Sequence, residues 1–323
     1  MEIFLIYFSV ISGVFFLIWS ADKFVDGASI TANHFGMPPL LIGMLIIGFG
    51  TSTPEILVSA LASYQGNPSI ALGNAYGSNI TNIALILGIT AIINPVKVES
   101  GIIKKELPVL SLVTLFSVYI VSDYNISRLD AFSLLIVFSI ILFWTLYTGS
   151  NKKHDPLALE VKGEMKINKI PVKKAIFWLV SGFIIMVFSS KILVWGAVGI
   201  AKILGISDLI IGLTIITVGT SLPELASSIV ATRKGDHDLA MGNILGSNLI
   251  NTLTVVGIAG LINPIKVPAD LVLRDFPVMT ILTLSLFIMS YGFRGQGRIN
   301  RLEGMLLLMT YIAYTILLLK NIV

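Results

Sequence analysis

The sequence predicts an all-α polytopic membrane protein of ten transmembrane helices, arranged as two inverted five-helix repeats with broken helices at a central site. Three observations lead there. Hydrophobic residues make up 55% of the 323-residue chain and charged residues only 12%, with a mean hydropathy of +0.91, whereas soluble domains are about 25% charged. Apolar runs such as 4–19, 131–147, 175–188 and 305–319, with their flanks, reach the roughly 20 residues that cross about 30 Å of hydrocarbon as helix. Sliding the chain by 169 residues, from Glu55 to Glu224, superposes it on itself without a gap. Gly50-Thr51-Ser52 falls on Gly219-Thr220-Ser221, Gly73-Asn74 on Gly242-Asn243, Gly77-Ser78-Asn79 on Gly246-Ser247-Asn248, and Asn94-Pro95 on Asn263-Pro264. Chance does not produce such a match, so the chain is an internal repeat.

The apolar runs, in order, place helices at 3–33, 39–63, 69–94, 107–121 and 130–148, then at 175–204, 208–231, 239–262, 276–291 and 302–320. The first run has no basic stretch before it and no small-residue cleavage site after it, so it reads as a retained helix. Five helices per half is odd, so the halves enter the bilayer from opposite sides, as in secondary transporters whose sites lie near the midplane. Loops after odd-numbered helices hold most of the lysines and arginines, among them Lys97, Lys104, Lys105, Lys152, Lys153, Arg233 and Lys234. The positive-inside bias therefore places both termini outside a plasma membrane. Three units follow: a first repeat over 1–149, a cytoplasmic linker over 150–174 and a second repeat over 175–323. The linker is polar and short, a tether between halves.

The chemistry gathers at the duplicated strings ending in Pro54-Glu55 and Pro223-Glu224. An ionisable group inside a span costs roughly 2.5 to 3.5 kcal/mol, so by default it marks an ion or proton path. Each proline withholds one helical hydrogen bond, which would leave the carbonyls of Gly50 and Gly219 free, and the neighbouring glycines ease unwinding. Those carbonyls, the hydroxyls of Thr51, Ser52, Thr220 and Ser221, and two carboxylates make an all-oxygen site. Such a site suits hard cations such as Ca²⁺, Mg²⁺ and Na⁺. Two bare carboxylates about 4 Å apart repel by roughly 4 kcal/mol at an effective dielectric of 20, so the pair captures cations or a proton. On the following helices, Asn74, Ser78 and Asn82, and likewise Asn243, Ser247 and Asn251, recur every four residues and lie on one stripe. The glycine pairs Gly73 with Gly77 and Gly242 with Gly246 match small-xxx-small packing, and the two upper asparagines, Asn74 and Asn243, could also be packing glue.

Other chemistries find little support. With no cysteines, disulfides, thiolate metal sites and cysteine nucleophiles are excluded. The three histidines, His34, His154 and His237, read as loop or interface residues. The net charge of +4 sits in membrane-flanking loops and suggests no nucleic-acid partner. Asp22 and Asp26 read as solvated interface residues. A hydrolase using two glutamates as acid and base would need unlike environments, which twofold repetition does not provide. A channel needs easy release, which deep paired carboxylates oppose.

The paired Gly-Thr-Ser-x-Pro-Glu and Gly-Asn-x-x-Gly-Ser-Asn strings closely resemble the two α-repeats of the calcium/cation antiporter superfamily, the sodium/calcium exchangers, over about 40–108 and 209–277. The resemblance implies a ten-helix transporter working by alternating access, not an enzyme, with no cofactor and no obligate protein partner beyond the lipid bilayer and the inorganic cations it carries. It implies that Glu55 and Glu224 bind calcium with the backbone carbonyls of Thr51 and Thr220. It also implies that Ser52, Ser78, Ser221 and Ser247, with the carbonyls of Gly48 and Thr217, line sodium sites. One departure stands out. The position of Asn251 is often an aspartate in the family, and that of Asn82 an asparagine or an acid. Here both are asparagine, so the site carries two carboxylates, a charge that Ca²⁺, two Na⁺ or two protons would balance. The expected function is Ca²⁺/Na⁺ antiport through a site between Glu55 and Glu224, with H⁺/Ca²⁺ or other divalent-cation/proton antiport as the alternative. The linker leaves no room for a large calcium-sensing domain.

Overall fold

The computed structural model describes residues 2–35, 37–151, 171–205, 217–291 and 297–320. Helix dominates throughout. In chain order the helices are α1 (Glu2–Phe35), α2 (Pro39–Thr51), α3 (Thr53–Tyr64), α4 (Pro68–Ile93), α5 (Ile102–Asp123), α6 (Arg128–Asn151), α7 (Val172–Ile203), α8 (Thr217–Thr220), α9 (Leu222–Arg233), α10 (His237–Ile262), α11 (Leu271–Ser290) and α12 (Arg301–Lys320). Eight of them are long and apolar enough to cross a membrane, and the bent pair α2 and α3 makes a ninth. The expected tenth, 208–231, starts outside the described residues, which include only its later part, α8 and α9. The 150–174 linker also falls largely outside them.

Burial orders the helices. In the most apolar stretches of α4 and α10, 78% and 89% of residues are buried, against 11% in α6 and α12. The duplicated, polar-striped helices are therefore central, and the most uniformly apolar ones are peripheral. This inversion of a soluble protein follows from the solvent: lipid tails are as apolar as leucine, so polar residues are placed inside. One hydrophobic cluster surrounds α4 and α10, with Leu72, Ile83 and Leu87 packed with Ile244, Leu249 and Leu253. A second lies where α1 meets α2, α7, α9 and the start of α10. The long helices α1 and α7 pair antiparallel along their length, because Gly13 faces the Leu193 backbone and Gly182 faces that of Phe24 too closely for any side chain.

The two halves share their punctuation. Both α3 and α9 end on a left-handed glycine, Gly66 at φ +85° and Gly235 at φ +87°. There the carbonyls of Ala62 and Ala231 accept from the N–H of Asn67 and Asp236 at 2.9 and 3.0 Å, a Schellman-type cap. α4 and α10 end on Asn94 and Asn263, both extended, as residues before proline must be. Both helices contain a π-helical turn, over Thr81–Leu87 and Asn251–Val255. Two further π turns, Ile102–Glu106 and Leu271–Asp275, start α5 and α11 earlier than the expected 107 and 276. Pro108 and Pro277 follow directly on these π turns, where the regular helix resumes. Two small ladders depart from a purely helical reading and bridge the halves. Val96 and Lys97 pair with Ile299 and Arg298, and Asn125 and Ile126 with Lys266 and Ile265.

Candidate cation site

Both glutamates lie in the first turn after a break. The chain leaves helical geometry at Ser52, with φ −83° and ψ 1°, and at Ser221, with φ −91° and ψ 7°. The two values fall in the narrow turn-like region where many active-site residues sit. At the first break α2 and α3 bend by 43°. Pro54 and Pro223 each open the new helix, and neither Ser52 nor Ser221 spends its hydroxyl on capping it. Glu55 and Glu224 thus sit at helix N-termini, whose partial positive charge favours a carboxylate. Each is 1% exposed.

The halves interlock here. The carboxylates are near enough to repel one another, and the Thr220 hydroxyl lies against Glu55. Thr51 and Ser52 lie against Glu224, although the Ser52 hydroxyl reaches no hydrogen-bond geometry. The Gly48 carbonyl accepts from the Ser52 N–H at 3.0 Å, from the Thr51 hydroxyl at 3.4 Å, and from Ser247 of the other half at 3.5 Å. Thr217 opens α8, and its side chain is outside the description.

The stripes on α4 and α10 hold the glutamate helices in place. Asn74 donates to the Glu55 backbone carbonyl at 3.2 Å and to Ser59 at 2.9 Å. Asn243 donates to the Glu224 carbonyl at 3.2 Å and to Ser227 and Ser228 at 3.0 and 2.9 Å, and its own oxygen accepts from Thr51 at 3.2 Å. These two asparagines are therefore clamps across helices. Asn82 donates to Asn248 at 3.0 Å, and Asn79 to Thr252 at 2.7 Å. Both bonds join α4 to α10.

What remains is a set of oxygens. Ser52 Oγ, Glu55 Oε1 and Oε2, Ser78 Oγ, Asn82 Oδ1, Ser221 Oγ, Glu224 Oε2 and Asn251 Oδ1 are buried and accept or donate no hydrogen bond. A buried polar atom without a partner costs about 1–3 kcal/mol, and native proteins hold few of them. Here they recur on the duplicated motif. Lone pairs of neutral oxygens around two carboxylates are the donor set that hard cations take. Among the described residues no three His, Cys, Asp or Glu side chains stand close enough to hold a metal ion together, and at this centre the acids number two and the rest of the set is neutral.

Two expectations need correction. The carbonyl of Gly219 does not stand free, since it receives the Ser190 hydroxyl of α7 at 2.8 Å. At the second break proline removed a bond, and a neighbouring helix replaced it. One glycine pair is placed directly: Gly242 and Gly246 lie hard against the α2 backbone at Leu40 and Met44. Asp22 and Asp26 are more than solvated, since Lys234 pairs with each at 2.7 Å. Sequence reasoning missed Ser190 and Thr252, which have no polar counterpart at the 169-residue offset. It had a signal for Asn79 and Asn248, which stand in the duplicated Gly-Ser-Asn strings.

Fold and site together define a polytopic, all-helical membrane protein with a buried, oxygen-rich centre where two broken helices meet. The chain belongs to the sodium/calcium exchanger protein family, whose model matches residues 5–147 and 174–320. CaxA of Alkalimonas amylolytica is 45% identical over 313 residues, covering 97% of this chain and 98% of that protein. The sodium/calcium exchanger MaX1 of Methanosarcina acetivorans is 29% identical over 344 residues, 95% of this chain and 96% of the relative. A solved structure of the sodium-calcium exchanger NCX_Mj superposes with a TM-score of 0.83 at 33% identity, covering 97% of this chain and 98% of that one.

Proposed function

We propose that this protein exchanges Ca²⁺ for Na⁺ across the plasma membrane by alternating access, binding one kind of ion at a time between Glu55 and Glu224. The carrying observation is the set of buried, unpartnered oxygens on the duplicated motif, and family membership supports it. Calcium is held by Glu55, Glu224 and the carbonyls of Thr51 and Thr220. Sodium uses Ser52, Ser78, Ser221 and Ser247 with the carbonyls of Gly48 and Thr217, while Asn82 and Asn251 add neutral oxygens. Mutual exclusion drives the exchange: a site with two bare carboxylates does not cross a low-dielectric barrier, so each passage needs a neutralising ion.

The two halves are inverted five-helix repeats of a ten-helix protein, with both termini outside and the 150–174 linker in the cytoplasm. The equal breaks at Ser52 and Ser221 and the shared π turns support the repeat. In sealed vesicles, calcium uptake should follow an imposed sodium gradient. Uptake indifferent to sodium but driven by a pH gradient would assign the counter-ion as H⁺, a reading that two carboxylates and no third acid also permit.

A further inference from the structure

The 169-residue offset places Asn79 and Asn82 of α4 on Asn248 and Asn251 of α10, and all four are buried. Their sequence is symmetric, but their bonding is not. Asn82 Nδ2 donates to Asn248 Oδ1 at 3.0 Å. The equivalent bond, from Asn251 to Asn79, is absent among the described residues, since Asn79 Oδ1 is buried without a partner. Asn79 is engaged elsewhere, donating to Thr252 Oγ1 at 2.7 Å and reaching the Met279 sulfur at 3.6 Å. The counterparts of Thr252 and Met279 are Ile83 and Leu110, so Asn248 has no matching partners in the first half.

An amide side chain has an oxygen end and an NH₂ end of nearly equal size, and only the oxygen ligates a hard cation. Bare carboxylates draw the other end in, because an N–H donor bonds a charged acceptor more strongly than a neutral one. Asn82 therefore serves a cation only while something holds its NH₂ away. Building on the cation site proposed above, on which this rests, we infer that Asn248 is a positioning residue. Its oxygen anchors the Asn82 NH₂ across the halves and leaves Asn82 Oδ1, which has no hydrogen-bond partner, as a fixed ligand. Asn251 Oδ1 is also unpartnered, but Asn79 does not anchor its amide, so Asn251 can present either end. The two neutral amides of the site are thus unequal, one fixed and one able to turn.

Ca²⁺ binding to the purified full-length protein, measured by isothermal titration calorimetry, tests this. In Asn248→Ala the Asn82 NH₂ turns to a carboxylate and Ca²⁺ must displace it, so affinity should fall about tenfold, the scale of one hydrogen bond to a charged group. Asn248→Leu, which keeps the branched shape without the acceptor, should show the same fall. Asn79→Ala, at the equivalent position, should leave affinity unchanged whatever it does to the thermal melt. In an Asn82→Asp background both ends of the side chain are oxygens, and there Asn248→Ala should cost no affinity. Unchanged affinity in both Asn248 variants, equal loss in Asn248→Ala and Asn79→Ala, or full loss persisting in the Asn82→Asp background would each overturn the inference, while wild-type binding upholds the site. Wild type that binds no Ca²⁺ would overturn the site, and the inference with it.

Discussion

Residue chemistry carries the functional reading. The donor set holds two carboxylates because positions 82 and 251 are asparagine. Two charges are balanced by one Ca²⁺ or two Na⁺, so wild-type exchange should move no net charge, and sodium-driven calcium uptake should generate no membrane potential on a voltage-sensitive dye. Asn251→Asp adds a third acid beside the pair. It should convert the silent exchange to a potential-generating one, and a silent mutant that still transports would contradict the charge count. Asn243 is a different kind of residue, since it makes three donor bonds to the first turns of α9 and accepts one from Thr51. Asn243→Ala should lower stability by about 1–3 kcal/mol, the cost of stranding buried partners, read as an earlier thermal melt of the solubilised protein. An unchanged melt would refute the clamp. The duplicated glutamates, serines and asparagines were legible in the sequence because repetition at one offset separates them from ordinary polar residues. Ser190 and Thr252 were not, because each is a lone polar residue whose role appears only when another helix comes beside it.

At the scale of elements, the breaks decide the geometry. Pro54 and Pro223 mark them in the sequence, and the helices do restart there. What proline chemistry does not reveal is where the orphaned carbonyl finds a substitute, since Ser190 comes from a helix about 30 residues away in sequence. The π turns were also hidden, because they arise from an extra residue accommodated against neighbouring helices rather than from composition. The glycine spacing was visible on α4 and α10 alike, and on α10 it meets the α2 backbone at Leu40 and Met44. Gly242→Ala places a methyl against the Leu40 carbonyl and should cost about 1–3 kcal/mol by overpacking. An unchanged melt of Gly242→Ala would contradict that close approach.

The whole molecule divides into a core around α4 and α10, braced by two ladders that each join the halves, and the long α1 and α7 pair packed on it. Hydropathy and the 169-residue offset made the membrane class and the repeat legible before any contact was known, because bilayer thickness fixes span length and duplication fixes register. The cross-half ladders were not legible, for two-residue strands carry no periodicity. The account rests on Glu55 and Glu224 as the two halves of one cation site at the junction of these bodies. It is tested most directly by sodium-driven calcium uptake into vesicles holding equal amounts of inserted wild type, Glu55→Gln and Glu224→Gln. Each substitution should reduce uptake to that of protein-free vesicles, and wild-type flux in either mutant would contradict the account.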